Sequence, residues 1–207
     1  MKMKINLPAF VVLCSAATVL LSSQVFAEDL IIASFENVET SDIGTPIGTW
    51  SSNPLDTSQG CRMEIIPLYG VMGKESEESH VLKLSYDVAT NGPALNGIYI
   101  KLNNTNLDPY DEMSVLVKGD DVKSFTTKFK VEFRNIRGER AAYVLKGITS
   151  DWRELRIPLK RVNSSGSITD WTKMTEVLFS FDDMSVDSKE GVLYIDEVKF
   201  GSRDRSE

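Results

Sequence analysis

The side chains best equipped for chemistry in this sequence lie on short segments with a period of two. Tyr99 and Lys101 share the polar side of "GIYIKL", and Lys130, Glu132 and Arg134 share the polar side of "KFKVEFRN". A phenol ring next to ammonium, guanidinium and carboxylate groups can stack on an apolar face and hydrogen-bond to a polar rim. The same row also serves as a solvated charged face. Asp196 is the local anomaly. In "YIDEVKF" the alternation predicts that Tyr194, Asp196, Val198 and Phe200 share one side, which is otherwise apolar. An ionised carboxylate there is costly unless it is paired or bound to a cation. His80 is the one histidine; no cysteine or acid is arranged with it in sequence, so a surface position is expected.

Several reaction classes lack their parts. The sequence contains no G-x-S-x-G elbow, phosphate-binding glycine loop, H-E-x-x-H pair or dinucleotide fingerprint. One histidine and two cysteines rule out a multi-histidine metal centre, a multi-cysteine zinc site and a disulfide scaffold. Any acidic chain has carboxylates enough for glycoside hydrolysis, but a compact β chain spares little sequence for a deep cleft. The reading is of a protein without catalysis.

These side chains need a frame. The chain has 207 residues, 30 acidic and 23 basic, for a formal charge of −7, which argues against a general nucleic-acid binder. Lys2 and Lys4, an apolar stretch from Leu7 to Leu21, and small residues at Val25 and Ala27 predict a signal peptide over residues 1–27, cut before Glu28. The stretch is short for a spanning helix, so a periplasmic or secreted protein with no retained membrane span is expected. The lipoprotein reading of Cys14 fails because bulky Leu13 precedes it. Without residues 1–27 the chain carries 21 basic and 30 acidic groups, or −9. Cys61 is then the one thiol, and its alternation with Met63 and Ile65 predicts burial.

The remaining residues, 28–207, read as one β domain with a core over about 30–201. Strands are expected at Leu30–Phe35, Gly48–Ser52, Arg62–Pro67, Leu82–Val88, Ile98–Leu102, Met113–Lys118, Lys128–Arg134, Ala141–Lys146, Arg153–Leu159, Val177–Asp182 and Val192–Phe200. Turn signals separate them at Asn91-Gly92-Pro93, Gly119-Asp120-Asp121, Arg137-Gly138-Glu139 and Ser164 to Ser167. Ile168–Met174 is expected to form a helical turn. Long polar loops are expected at Glu36–Gly48, Asn53–Cys61 and Tyr69–Ser79. Short strands at near-regular spacing mean a sandwich or barrel.

The order of segments adds a resemblance. "VLKLSYDV", "GIYIKL", "LDPYDEMSVLVKGDD", "KFKVEFRN", "DWRELRIPLKRV", "MTEVLFSFDD" and "GVLYIDEVKFG" together resemble the carbohydrate-binding modules of the galactose-binding-like β-jelly-roll superfamily. The nearest patterns are those of family eleven and of the complex I intermediate-associated proteins. The resemblance implies an all-β jelly roll of two antiparallel sheets that binds a polysaccharide or oligosaccharide on a concave sheet face or at edge loops.

A sugar ring offers an apolar face for aromatic stacking and hydroxyls for charged partners. On that reading Tyr99, Lys101, Glu132 and Arg134 form the platform, Ser180 and Asp182 extend it, and Trp50 and Tyr69 add stacking rings from loops. Trp50 reads equally well as core. Trp152 is expected to cap one end of the core, and Trp171 to cover the bottom of the sandwich. The resemblance also implies a structural Ca2+ shared by Glu36, after "LIIASF", and Asp196. The alternative for Asp196 is a hydrogen bond to a neighbouring strand. The alternative function is a protein-binding assembly factor. "YGVMGKES" resembles a Val-Met-Gly-Gly segment of the intermediate-associated proteins, with Lys74 in place of the second glycine.

Overall fold

The computed structural model describes residues 28–37, 39–162 and 168–202; the leader expected over 1–27 and the turn expected at 164–167 lie outside them. In chain order the strands are β1 (Leu30–Ala33), β2 (Ile47–Ser51), β3 (Gly60–Val71), β4 (Lys74–Asp87), β5 (Leu95–Thr105), β6 (Glu112–Gly119), β7 (Lys128–Asn135), β8 (Arg140–Lys146), β9 (Arg153–Pro158), β10 (Met174–Asp182) and β11 (Glu190–Gly201). A single helical turn, α1 (Leu159–Val162), follows β9. No helix among the described residues is long and apolar enough to cross a membrane.

The strands form two antiparallel sheets. One has the order β3-β4-β11-β6-β9 with β1 also on β11, and the other has the order β2-β5-β10-β7-β8. Alternation decides what lies between them. Leu82, Leu84 and Tyr86 from β4 meet Ile98, Ile100 and Leu102 from β5, Phe129, Val131 and Phe133 from β7, and Val177, Phe179 and Phe181 from β10 in one buried cluster. Aromatic rings lock its centre: Tyr86 stacks on Phe181 at 4.4 Å, and Phe129 touches Phe179 and Phe181 at 5.3 and 5.5 Å. Trp171 closes one end against Phe133 at 5.7 Å. Cys61 packs on the same core, and burial pushes its thiol up to about 12, outside thiolate chemistry.

Strand β11 pairs with β6 on one side. Its other side is divided between β4, which pairs with Glu190–Ile195, and β1, which pairs with Val198–Phe200. At the junction the register shifts and Glu197 adopts a positive φ of 48°. This bulge reverses the strand's parity: Leu193 and Ile195 face the core before it, and Val198 and Phe200 after it. Tyr194 and Asp196 therefore do not share a face with Val198 and Phe200, which corrects the alternation read from "YIDEVKF".

Three other expectations need correction. The polar stretch from Tyr69 to Ser79 is a hairpin, not a loop: Gly70 and Gly73 take positive φ values of 75° and 82°, and Tyr69 pairs with Glu78 across β3 and β4. Residues 75–78 are all exposed, whichever way they point, so they carry no period-two signal. Residues 168–173 form an irregular segment with a turn at 172–173 rather than a helix, held by Asp170, which accepts from the Thr172 amide and hydroxyl, and Met174 already opens β10. Trp152 packs against Val71, Val81 and Leu116 on the outer side of the β3–β4–β11–β6 layer, instead of capping the main core.

Gly97 in β5 has no room for a side chain: a Cβ there would lie 1.9 Å from the Phe179 carbonyl oxygen on β10. Gly97→Ala is expected to cost about 3 kcal/mol or more in chemical denaturation, because backbone must move. Gly92→Ala, with nothing within 4 Å, is the neutral control.

Candidate functional site

The register across the five-stranded sheet determines which outward side chains meet. Trp50, Gly97, Ser180, Lys130 and Val144 form one row across β2, β5, β10, β7 and β8. Gly48, Tyr99, Leu178, Glu132 and Ala142 form the next, and Lys101, Glu176, Arg134 and Arg140 a third. Trp50, Tyr99, Lys101, Glu132, Arg134 and Asp182 thus lie on one face of one sheet. Trp50 is on strand β2, not in a loop, and is half-buried.

This face is built in two levels. Leu178 and Ser180 point outward yet are 3% and 0% exposed, so they form a floor beneath longer side chains. Above them runs a chain of ion pairs. Glu176 accepts from Lys101 and, at 3.0 Å, from Arg134 Nη1; Arg134 Nη2 lies 3.7 Å from Glu132. Glu132 also accepts from Ser180 Oγ at 3.3 Å, and Lys130 reaches Asp182 Oδ2 at 2.8 Å. Each group holds its neighbours in place, so donors and acceptors for a polar ligand are fixed before it arrives.

The aromatic groups lie toward the β2 edge. The Tyr99 hydroxyl lies 2.5 Å from where a Cβ at Gly48 would be, so the ring crosses β2 above that glycine, and Lys101 Nζ lies 5.1 Å from the ring centroid. Trp50 Nε1 is buried with no partner among the described residues, a donor in reserve. At the end of the face beside Asp182 and Lys130 opens a groove of about 860 Å³, walled by Pro93, Leu95, Val144 and Met184. Glu176 is the platform member that sequence reasoning misses. It shares parity with Ser180 and Asp182, but the expected strand begins one residue after it.

Tyr69 does not join this group. It stands on β3 in the other sheet, 65% exposed, because the Gly70–Gly73 turn folds its segment into the hairpin. Asp182 also has a structural role, since its Oδ1 accepts from the amides of Met184 and Ser185 and closes the turn after β10.

The two expected calcium ligands also come together, at the β11 bulge. Ser79 Oγ donates to Glu36 Oε1 at 2.7 Å and lies 3.5 Å from Asp196 Oδ2. The Glu36 carboxylate further accepts from the His80 amide at 3.3 Å and lies 3.2 Å from His80 Nδ1, so the histidine does have an acid partner. Asp196 is wholly buried; its Oδ1 accepts from the Glu197 amide at 2.8 Å, and burial pushes its carboxyl up to about 7. Lys74 reaches into the same space, with Nζ 3.2 Å from Glu36, 3.0 Å from Glu197 and 3.2 Å from Ser79 Oγ. A calcium ion takes about 6–8 oxygens at roughly 2.3–2.6 Å. With an ammonium group among these oxygens, the residues do not fit a divalent ion.

Comparison with known proteins follows the same outline. The family model described as "Carbohydrate binding domain 30" matches residues 51–202. No curated protein matches the sequence. Among solved structures, the chain is similar to a family 11 carbohydrate-binding module from a cellulosomal cellulase of Clostridium thermocellum. The TM-score is 0.58 at 14% identity, covering 84% of this chain and 95% of that one. A second structure of a family 11 module from that organism, in complex with a β-1,3-1,4-mixed-linked tetrasaccharide, gives the same values. A family 30 module from another cellulosomal cellulase of the same organism gives a TM-score of 0.55 at 16% identity, covering 86% and 99%. At these identities the likeness carries the fold, a β-jelly-roll sandwich.

Asp182 gives the face a pH signature. Burial opposes its ionisation, but Lys130 and the amides of Ser185 and Met184 hold its carboxyl below the ordinary value. A depressed folded-state pKa contributes stability above the unfolded value, about 3.9, and loses it as pH falls through the folded one. Asp182→Asn is expected to lower the melting temperature by about 2–4 °C at pH 7, and the gap to wild type should close below about pH 4. Melting curves across pH 2–7 check this.

Proposed function

The chain belongs to the carbohydrate binding domain 30 family, and from that premise we propose that it binds a glycan, without catalysis, on the outer face of its five-stranded sheet. The observation that carries the placement is the shared face: Trp50 and Tyr99 lie beside a fixed set of carboxylate, ammonium and guanidinium groups. Sugar rings stack their C–H faces on the two aromatics, and the ring hydroxyls exchange hydrogen bonds with Lys101, Glu132, Arg134 and Glu176. Five strands at about 4.8 Å spacing give a face roughly 19 Å across, matched to a run of several sugars. The groove beside Asp182 continues the path from Trp50 across Gly97 and Ser180.

Binding here depends on a preformed surface. The ion pairs keep their donors and acceptors in position, so little side-chain entropy is lost when a hydroxyl takes up a spare valence. The same economy argues for a neutral glycan, since positive and negative groups alternate along the face and no single sign dominates it. The leader pattern of residues 1–27 supports export, which places the protein where polysaccharides are met.

Mixed-linked β-1,3-1,4-glucan, the ligand type seen on a family 11 module, is the first probe, followed by a panel of soluble and insoluble polysaccharides. Trp50→Ala and Tyr99→Ala are each expected to weaken binding about tenfold or more in titration calorimetry or affinity electrophoresis. Tyr69→Ala, on the other sheet, should bind as wild type. Binding lost in Tyr69→Ala and kept in the other two variants moves the site to the other sheet; no binding across the panel rejects the function.

A further inference from the structure

The acidic cluster at the β11 bulge needs a positive charge, and the chain contains one. Asp196 is completely buried; Glu36 shares the Ser79 hydroxyl with it, and Glu197 is its neighbour in the chain. Three carboxylates so near one another repel unless a cation lies among them. The ammonium of Lys74 meets two of them directly and Asp196 through its field, and it also donates to Ser79. We infer that Lys74 is a built-in counter-ion that occupies the place of a metal and lets this domain join its terminal strands without one.

The geometry explains why this lysine can do so. Lys74 is the first residue of β4, immediately after the Gly70–Gly73 turn, so its side chain reaches back along the hairpin toward β11. Glu36 comes from the segment just after β1, Ser79 and His80 from β4, and Asp196 and Glu197 from β11. One ammonium thus links the start of the domain, its longest hairpin and its last strand. Its side chain is 29% exposed, against 0% for Asp196: the ammonium comes in from the wet side and the acid stays dry. An ammonium has three donors, and Glu36, Glu197 and Ser79 use all three.

Differential scanning fluorimetry of the wild-type protein, with EDTA and with calcium chloride in the millimolar range, is the first measurement. Neither additive should move its melting temperature. Lys74→Met keeps the unbranched stem and removes the charge; it should melt roughly 4 °C lower or more. Adding Asp196→Asn to it should restore part of that loss, so the double variant loses less than the sum of the single variants. A wild-type protein destabilised by EDTA or stabilised by calcium overturns the inference, as does strict additivity in the double variant. The wild-type arm decides even if Lys74→Met fails to fold.

Discussion

Strand β11 has to satisfy two neighbours on one edge, and most of the architecture follows from how it does so. Its first half takes β4 and its second half takes β1. A strand of unbroken period two would turn either Leu193 and Ile195 or Val198 and Phe200 away from the core. The bulge at Glu197 lets both pairs face inward, at the cost of leaving Asp196 buried beside it. A buried carboxylate is tolerated only with partners. The hairpin of β3 and β4, whose tip carries Lys74, supplies the charge, and the segment after β1 supplies Glu36 and is held in return. The extra residue, the buried acid, the long hairpin and the anchored first strand are one solution to one problem of register.

The opposite sheet is regular in its centre, and that regularity makes its outer face useful. Phe129, Phe133, Phe179 and Phe181 fill the inner side, so β7 and β10 have little freedom to tilt. Their outward residues are therefore held at fixed spacings. Leu178 and Ser180 floor the face, and the ion pairs above them lie over a dry layer. Charges in that setting interact more strongly than they would in open water.

This difference between the sheets also sets what can be read from sequence. Tyr99, Lys101, Glu132 and Arg134 are legible because β5 and β7 alternate without interruption through those residues, so parity alone puts them on one face. The partner strand β10 is legible too, apart from Glu176, which lies beside a register shift. Asp196 stands out in sequence as an anomaly but on the wrong face, since nothing in "YIDEVKF" announces a non-glycine residue with positive φ. Tyr69 is misplaced by its local pattern for a related reason: a polar hairpin arm whose residues 75–78 are all exposed looks like a loop. The cation at the bulge is legible only as a need. That Lys74 meets it depends on contacts with Glu36 and Glu197, 38 and 123 positions away in the chain, which no local pattern encodes.

The acid cluster and the proposed glycan face therefore occupy different sheets. The Lys74 cluster ties β1, β4 and β11 together, whereas the proposed glycan face belongs to β2, β5, β10, β7 and β8. Between them lies the phenylalanine core, which is closely packed and apolar. The two sets of side chains share no strand. Altering the acid cluster should thus change how much protein is folded without changing how tightly the folded fraction grips its ligand. Altering the platform should do the reverse, except where a residue such as Asp182 both lines the groove and closes a turn. At such a position affinity and melting temperature move together, and the coupling is local rather than carried through the core.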